Sequence, residues 1–314
     1  MPKFKPGMYF RSLMAPENLV GRTVARYQLL ERVGEGGTAT VYRAEHPDRG
    51  VCAVKILRQQ SRNDPTAVKR FLREAEFGGR VAHDHVVCTF EYGEQDGLYF
   101  LALEWASGQV LTQYAKRTVP MAPAAVASIV TQLARALGAA HAAGIIHRDL
   151  KPDNIVIDPA SGLVKLLDFG IARDAQDNPA ERLTRTGFFV GSLNYVAPEA
   201  LSGALVDERA DIFSLTTIAY FLLSGRHPFD GKNPRELFQQ LLTNEPRPLS
   251  QAGGPKVSKA LEQVVMKGLA RDPAQRYQRV EEFGRDFAAA AAGTAVAVEG
   301  GGLLGRIRRL FGRG

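Results

Sequence analysis

The most informative segment of the sequence is Ile145-Ile146-His147-Arg148-Asp149-Leu150-Lys151-Pro152-Asp153-Asn154. It sets a carboxylate, a cation and an amide at fixed offsets behind two β-branched residues. Asp149 can accept the proton of an attacking hydroxyl, Lys151 can neutralise a transferring phosphoryl group, and Asn154 can ligate a metal. These three groups, so close together in the chain, favour phosphoryl-transfer chemistry.

A second acidic motif lies further along the chain. Asp168-Phe169-Gly170 comes fourteen residues after Asn154 and directly follows the apolar run from Val164 to Leu167, which is typical of a strand. Asp168 and Asn154 would supply a carboxylate oxygen and an amide oxygen to one site. Mg²⁺ prefers a few such oxygens together with those of a substrate phosphate. The two motifs therefore predict a divalent cation bound next to a phosphate.

A glycine-rich segment near the N-terminus offers a place for phosphate oxygens. After a predicted strand from Tyr27 to Val33 the sequence reads Gly34-Glu35-Gly36-Gly37-Thr38-Ala39-Thr40-Val41. Because Gly34, Gly36 and Gly37 have no β-carbon, backbone N–H groups in this segment can approach phosphate oxygens closely. On its own, such a segment is more often a simple hairpin turn.

A lysine follows on the next strand. Lys55 closes the apolar run Ala53-Val54-Lys55, which places one cation where nucleotide phosphates would lie. A buried cation needs an anion beside it. The helix predicted over residues 65–77 offers Glu74 as that anion.

Length, composition and hydrophobic periodicity define the fold class. The chain has 314 residues, of which 45% are hydrophobic and 23% charged, which is typical of a globular protein and excludes a disordered, collagen-like or coiled-coil chain. From Tyr27 to about Leu103 the pattern is strand-like apart from a helix from Pro65 to Phe77, and after Leu111 it becomes helical. This order predicts a two-lobed α+β fold with a small β-rich N-lobe and a larger helical C-lobe.

The predicted boundaries follow from these changes of pattern. In the second half we predict helices over Ala124–Ala142, Asp211–Ser224, Arg235–Thr243, Ser258–Leu269 and Val280–Ala290. The chain divides into a basic N-terminal extension (1–26), a central domain (27–290), an Ala/Gly linker (291–302) and a basic amphipathic tail (303–314). Within the central domain the N-lobe is predicted over 27–103, a hinge over 104–108 and the C-lobe over 109–290.

The positive charge of the chain lies at its two ends. Forty lysines and arginines against thirty-three acidic residues give a net charge of +7. Residues 1–26 carry five cations and one anion, and residues 293–314 carry four cations and one anion, so that 4 + 3 accounts for the whole +7. A neutral body argues against a fold-wide nucleic-acid footprint, and we expect no specific nucleic-acid partner.

The cysteines and the apolar stretches bear on localisation. Cys52 and Cys88 cannot build a disulfide framework, which favours a reducing cytoplasm. The N-terminus lacks the uninterrupted apolar stretch of a secretory signal, and the stretches 213–223 and 287–298 fall short of the ~20 residues of a spanning helix. We therefore expect a cytoplasmic protein, with peripheral attachment to the inner membrane surface left open.

The C-terminal tail is amphipathic. On a helix, one face would carry Leu303, Leu304, Ile307, Leu310 and Phe311, and the other Arg306, Arg308, Arg309 and Arg313. This composition is typical of a helix that binds an anionic membrane surface or a partner protein. Because so short a helix is not stable alone in water, disorder of residues 303–314 in the free protein is the alternative.

Taken in order, these motifs resemble those of the eukaryotic-like (Hanks-type) bacterial serine/threonine protein kinases over about Tyr27 to Ala290. The resemblance implies transfer of the ATP γ-phosphate to Ser and Thr hydroxyls of protein substrates, with ATP and Mg²⁺ (or Mn²⁺) as cofactors. Ala39 stands in place of the third loop glycine of the family. Ala39 and Gly78 motivate one alternative, a pseudokinase that acts as a nucleotide-binding scaffold.

The resemblance also implies a role for each motif residue. Lys55 would hold the α- and β-phosphates and pair with Glu74, Asp149 would be the catalytic base, and Lys151 would contact the γ-phosphate. Asn154 and Asp168 would be the metal ligands. The adenine would lie between Val41, Ala53 and Val156, with backbone hydrogen bonds at Glu104 and Ala106 and with Leu103 as gatekeeper.

Further residues are implied to support and control the site. Ser192 would bridge Asp149 and Lys151, Glu199 would pair with Arg276, and Asp211 would anchor the catalytic-loop backbone. Arg148 beside the base is typical of family members that are switched by a phosphorylated activation segment. We expect autophosphorylation at Thr184 and Thr186, with a homodimer as the possible means of reaction in trans; plain solvated threonines are the alternative.

One departure from the family pattern concerns the helix of Glu74. Gly78 stands where the family has a bulky apolar residue that stacks on Phe169. The sequence therefore suggests a loosely held helix that needs phosphorylation, dimerisation or a partner to form the Lys55–Glu74 pair. The alternative is that Phe77 fills the gap.

Overall fold

The computed structural model describes residues 17–168, 193–202, 206–254 and 256–299, with the side chains of the last range described as far as 293. A small β-rich N-lobe is followed by a larger helical C-lobe, as predicted. Each lobe has its own buried apolar cluster, and the cleft between them holds the predicted site.

The N-lobe is built on an antiparallel sheet in the order β1-β2-β3-β4-β6-β5. Its strands are β1 (Thr23–Val24), β2 (Tyr27–Glu35), β3 (Ala39–His46), β4 (Gly50–Leu57), β5 (Thr89–Gln95) and β6 (Leu98–Glu104). Because side chains alternate between the faces of a strand, one face collects a core that includes Tyr27, Tyr42, Val54 and Phe100. The residues between β2 and β3 form the tip of the glycine-rich hairpin.

Two helices lie between β4 and β5, α1 (Gln59–Arg62) and α2 (Pro65–Gly78). Asp64 caps the start of α2 by accepting a hydrogen bond from the Thr66 backbone N–H, and Pro65 occupies its first position. Phe71 and Ala75, at a spacing of four, are buried in a small cluster with residues of the sheet. This packing fixes the helix that carries Glu74.

The described part of the predicted N-terminal extension packs on the N-lobe. Leu19 and Val24 are buried, with 3% and 2% of their surface exposed. Strand β1 pairs with β2 in the register Thr23 opposite Gln28. Residues 17–26 are therefore an edge of the N-lobe sheet and its core.

The C-lobe is helical, with a small sheet at the cleft. Its helices are α3 (Leu111–Thr118), α4 (Pro123–Ala142), α5 (Pro198–Ser202), α6 (Arg209–Ser224), α7 (Pro234–Thr243), α8 (Lys259–Gly268) and α9 (Val280–Glu299). The sheet has the order β7-β8-β9, from β7 (Gln109–Val110), β8 (Ile155–Ile157) and β9 (Val164–Leu166). Helix α6 forms the middle of the core, and Gly225 ends it in a left-handed conformation (φ 71°).

Helix α4 is long and apolar enough to cross a membrane by length and composition alone, but half of its apolar window is buried within the protein. Val130, Leu133 and Leu137 have no exposed surface and lie in the C-lobe core. Helix α4 is therefore a core helix of this lobe.

The helix predictions agree with the structure except at the last one. Helix α9 continues to Glu299, so most of the segment predicted as a linker over 291–302 is helical. The run from Ala288 to Ala292 explains the difference, because alanine has the highest helix propensity and carries α9 past the point where polar periodicity stops.

Candidate active site

The cleft between the lobes holds a cavity of about 520 Å³. Strands β2, β3 and β4 form its roof, and the segment from Asp153 to Val156 with Leu167 and Asp168 lies on the opposite side. Among the predicted nucleotide-contact residues, those that line it are Gly34, Gly36, Val41, Ala53, Lys55, Leu103, Glu104, Ala106 and Val156. The structure thus brings these residues of both lobes to one cavity.

Lys55 lies at the centre of the charged part of this cavity. Its Nζ is 2.6 Å from Glu74 Oε1 and 2.7 Å from Asp168 Oδ2, and 13% of its side chain is exposed. Burial alone would lower the pKa of Lys55, but the adjacent carboxylates of Asp168 and Glu74 outweigh it and hold the pKa above its ordinary value. Lys55 is therefore a permanent cation, and the expected pair with Glu74 is formed.

Glu74 responds to the same surroundings. Its side chain is 14% exposed, and burial raises the pKa of Glu74 to about 7, with Lys55 opposing the shift and the negative charge of Asp168 adding to it. One lysine is thus shared by two carboxylates. A further positive charge beside Asp168 would balance the two carboxylates.

The predicted catalytic base lies in a network of its own. Asp149 Oδ2 accepts hydrogen bonds from Lys151 Nζ at 2.8 Å and from Asn154 Nδ2 at 3.2 Å. Asn154 Nδ2 also donates to the Asp149 carbonyl oxygen at 2.8 Å. The Asp149 carboxylate is thus held by two side chains and is still about one-fifth exposed to solvent.

Asp211 holds the backbone of this loop from beneath. Its Oδ2 accepts from the His147 N–H at 2.8 Å and its Oδ1 from the Arg148 N–H at 2.9 Å. Arg148 has φ 62°, a left-handed conformation that costs a non-glycine residue on the order of 1–3 kcal/mol. The buried Asp211 side chain also lies 2.8 Å from His141 Nε2. Asp211 therefore stabilises a strained turn immediately before the base, in the place expected from the sequence.

Two oxygen-bearing side chains fit a divalent cation. The Asn154 nitrogen is engaged with Asp149, which leaves its amide oxygen as the donor for a metal. Asp168 lines the same cavity, and 36% of its side chain is exposed. A carboxylate and an amide oxygen beside a phosphate site match the preference of Mg²⁺, which keeps the rest of its ligands as water and phosphate oxygens.

Several apolar residues line the cavity, and the sequence predicted only some of them. Trp105, the single tryptophan of the chain, lines the cavity between Glu104 and Ala106, and Leu101 and Thr89 line it as well. The alternation of β6 could have indicated Leu101, but no sequence motif marks Trp105 or Thr89. The Glu104 side chain is paired with Lys165 Nζ at 2.6 Å, so this residue also ties the hinge to the C-lobe.

Two of the three predicted loop glycines line the cavity. Gly34 and Gly36 line the cavity, whereas Gly37 is not among its lining residues, and a β-carbon added at Gly37 would meet nothing within 4 Å. The hairpin is closed by a hydrogen bond from the Gly36 N–H to the Ala39 carbonyl at 2.8 Å. Contact between this hairpin and phosphate oxygens stays a prediction.

Gly78 lies at the back of the cavity, close to Thr89. A β-carbon added at Gly78 would lie 3.0 Å from Thr89 Oγ1, while Phe77 packs against the core of the C-lobe. The Lys55–Glu74 pair is closed with glycine at position 78. That a second event is needed to close the pair stays a prediction.

A buried ion pair joins the segment after the activation loop to the C-lobe. Arg276 Nη1 and Nη2 each lie 2.7 Å from one carboxylate oxygen of Glu199, and the Arg276 side chain has no exposed surface. The family resemblance predicted this pair, although the two residues are 77 positions apart in the chain. The pair fixes Pro198–Ser202 to the helical core.

Several predicted residues lie outside the described part of the chain. These are the phosphorylation candidates Thr184 and Thr186, the bridging Ser192, Phe169 and the tail 303–314.

A lysine paired with two carboxylates, a neighbouring Asp149–Lys151 pair, and amide and carboxylate oxygens that fit Mg²⁺ lie where a β-rich lobe meets a helical lobe. This arrangement is typical of a phosphoryl-transfer domain. Residues 27–287 match the model of the protein kinase domain, and the chain belongs to this family.

The similar curated proteins are bacterial serine/threonine-protein kinases. PrkC of Bacillus subtilis is 36% identical over 272 residues, which cover 86% of this chain and 41% of PrkC. Pkn3 of Myxococcus xanthus is 36% identical over 85% of this chain and 50% of its own length. PknD of Mycobacterium tuberculosis is 40% identical over 82% of this chain and 38% of its own length. The chain thus spans half or less of the length of these relatives.

Solved structures give the same result for the fold. The kinase domain of Mycobacterium tuberculosis PknI is 31% identical and superimposes with a TM-score of 0.66, covering 86% of this chain and 98% of the PknI chain. A double mutant of that domain gives a TM-score of 0.67 at 30% identity.

Proposed function

We propose that this protein transfers the γ-phosphoryl group of ATP to serine and threonine hydroxyls of proteins. The observation that carries the proposal is the shared cation Lys55, held by Glu74 and Asp168 in a cavity that is otherwise lined largely by apolar residues. A nucleotide has the matching shape, a polyphosphate joined to a flat apolar base. The names of the similar bacterial kinases support serine and threonine as acceptors.

Each charged residue of the site would have its own role in the transfer. Lys55 binds the α- and β-phosphates, and Glu74 keeps its ammonium group in place. Asp149 accepts the proton of the acceptor hydroxyl, while Lys151, 2.8 Å from it, neutralises charge on the transferring group. Mg²⁺ or Mn²⁺, held by Asn154 and Asp168, would supply further neutralisation of the phosphates.

A transfer assay with ATP and Mg²⁺ or Mn²⁺ tests the proposal. Asp149→Asn should reduce phosphoryl transfer by a factor of about 10² to 10⁴ while leaving nucleotide binding nearly intact, because the base acts only on the acceptor proton. Asp96→Asn makes the same chemical change at an exposed hairpin turn and should leave activity unchanged. A wild-type protein that binds nucleotide but labels neither itself nor any protein in a cell extract would instead be the pseudokinase scaffold.

We further propose that the protein phosphorylates its own activation segment at Thr184 and Thr186. Arg148, next to the base, supports this because a phosphate of about −1.5 to −2 charge can pair with an arginine and order a loop. Phosphosite mapping of the wild type should find these threonines, and the Thr184→Ala/Thr186→Ala variant should lose activity. Unchanged activity of that variant would refute the proposal.

Reaction between two copies is the proposed route. Asp149→Asn protein, which cannot label itself, should become labelled when mixed with catalytic amounts of wild type. If it stays unlabelled while the wild type labels itself, the reaction occurs within one chain and the proposed transient homodimer is not needed.

For localisation we propose the cytoplasm, with residues 303–314 as a peripheral anchor at the inner membrane surface or a docking site for a partner protein. The support is the amphipathic charge pattern of the tail and two free cysteines, Cys52 buried and Cys88 exposed. Co-sedimentation with anionic vesicles should depend on residues 303–314 and be absent with neutral vesicles. Equal sedimentation with and without the tail would remove the membrane proposal.

A further inference from the structure

The tip of the glycine-rich hairpin is held by an arginine from the end of β4. Arg58 directly follows the last residue of this strand, and in the strand order β2-β3-β4 its guanidinium reaches across β3 to the end of β2. There its Nη2 lies 3.0 Å from Glu35 Oε1, and its Nη1 donates to the Gly36 carbonyl oxygen at 3.4 Å. The side chain of Arg58 thus forms a strap over the hairpin, which contacts Glu35 and Gly36.

The backbone of Arg58 is fixed on both sides of its α-carbon. Its N–H donates to the Thr38 carbonyl oxygen at 2.8 Å, which continues the pairing of β3 with β4 past the Ala39–Leu57 pair. Its carbonyl oxygen accepts from the Ser61 N–H at 2.8 Å, at the start of α1. Because 29% of the Arg58 side chain is exposed, the strap is partly shielded from solvent.

The strap also concerns the charge of the hairpin. Glu35 lines the cavity, and 33% of its side chain is exposed. Its carboxylate is paired with two cations, Arg58 and Arg32, the latter three positions earlier on β2. A carboxylate repels phosphate oxygens over about 8–10 Å at physiological salt. The two arginines therefore offset a negative charge at the cavity in which the proposed function places a polyphosphate.

We propose that Arg58 is a positioning residue for the nucleotide: it holds the tip of the hairpin in place and keeps the Glu35 carboxylate paired. Arg58 is not among the described residues that line the cavity, so it acts through the hairpin and not on the nucleotide. The inference rests on the proposed function, because its ligand is a nucleotide with phosphates.

Equilibrium binding tests the charge effect without phosphoryl transfer. Arg58→Met should weaken the binding of ATP with Mg²⁺, measured by calorimetry, about fivefold, and the binding of adenosine less than about twofold, because only ATP brings phosphates to Glu35. Arg58→Lys, which keeps the cation, should recover most of the affinity for ATP. Equal losses for ATP and adenosine, or no loss for ATP, would overturn the proposal.

A double variant tests whether Arg58 acts through Glu35. In the Glu35→Gln background, Arg58→Met should weaken ATP binding by less than about twofold, since the carboxylate that it would expose is gone. The matched control is Arg43→Met, which breaks a 3.2 Å pair with Glu31 between the same two strands and should leave the affinity for ATP unchanged. A fivefold loss in both backgrounds, or the same loss in the control, would refute the role of Glu35.

The hold on the tip is measured by amide hydrogen exchange of the ligand-free protein. Arg58→Met should speed exchange over residues 34–40 about threefold or more, whereas Arg43→Met should leave it unchanged. Exchange at the wild-type rate in Arg58→Met would show that the strap does not hold the hairpin.

In the transfer assay, Arg58→Met should raise the KM for ATP about fivefold and change kcat less than about twofold, because Asp149 and Lys151 are untouched. A lower kcat with an unchanged KM would contradict the proposal. If binding and exchange behave as expected but the wild type transfers no phosphate, the strap stands and the proposed function fails. If the wild type transfers phosphate and Arg58→Met equals it in every measurement, the proposed function stands and the strap fails. A wild type that binds no ATP would overturn both.

Discussion

Replacing Glu199 should destabilise the C-lobe by more than the loss of one ion pair would suggest. The reason is that all five N–H donors of the Arg276 guanidinium are hydrogen-bonded within the protein. Nε donates to the Ala270 carbonyl, Nη1 to Glu199 and the Arg209 carbonyl, and Nη2 to Glu199 and the Arg271 carbonyl, at distances from 2.7 to 3.0 Å. Glu199→Ala leaves two donors unpaired and a full positive charge with no exposed surface.

We expect Glu199→Ala to lower the free energy of unfolding by about 3–5 kcal/mol, the usual cost of breaking a buried pair from one side. Arg276→Met should cost a similar amount, because it leaves the Glu199 carboxylate unpaired. The double variant Glu199→Ala/Arg276→Met buries no charge and should be more stable than the sum of the single losses predicts, by about 2 kcal/mol or more.

Urea unfolding followed by circular dichroism measures these values. With a slope of about 3 kcal/mol per M, Glu199→Ala should shift the midpoint down by about 1 to 1.7 M. The matched control is Glu245→Ala, which breaks a 3.3 Å pair with Arg271 in which 82% of the Glu245 side chain is exposed. This change should cost less than about 1 kcal/mol.

Two results would refute the reasoning. One is a loss for Glu199→Ala no larger than that for Glu245→Ala. The other is a double-variant cycle with no coupling between Glu199 and Arg276, which would mean that the protein relaxes to hydrate the remaining charge.

Three further changes test other parts of the structure. Lys55→Met should lower kcat/KM for phosphoryl transfer by about 10² to 10³, and steady-state kinetics showing less than a tenfold loss would argue against its phosphate role. Burial beside Phe221 lowers the pKa of His227 to about 4, so between pH 6.5 and 4 the unfolded chain binds a proton that the folded chain does not, and stability falls as the pH falls. The contribution of His227 to the pH dependence of stability is on the order of 3 kcal/mol. Thermal unfolding of His227→Phe should therefore depend less on pH, and identical pH profiles for the variant and the wild type would refute this contribution. Gly78→Leu should raise the activity of the dephosphorylated protein by holding α2 in place, with a displaced Thr89 as its steric cost, and unchanged activity would mean that position 78 imposes no regulatory requirement.

Much of the site could be read from the sequence because its parts are local. The offsets from Asp149 to Asn154 lie within one loop and a single 3-10 turn, so their spacing alone sets which groups can meet. Helix α2 could be predicted from its Asp64 cap and the three- and four-residue spacing of its apolar side chains. These are short-range effects that a sequence pattern records directly.

Other features depend on how distant segments pack. That Lys55 is shared between Glu74 and Asp168 requires two residues 113 positions apart to meet across the cleft. The sequence assigned Asp168 to the metal alone. Likewise no pattern shows that Trp105 lines the cavity, since its environment is created by both lobes at once.

The sequence by itself determined the class of chemistry, the order of the lobes and the identity of the charged groups. Only the tertiary structure decided which of those charges share a partner and which apolar residues line the cavity beside them. The physical reason is that side-chain type and local spacing are written along the chain, whereas distances between lobes arise from the packing of separate cores.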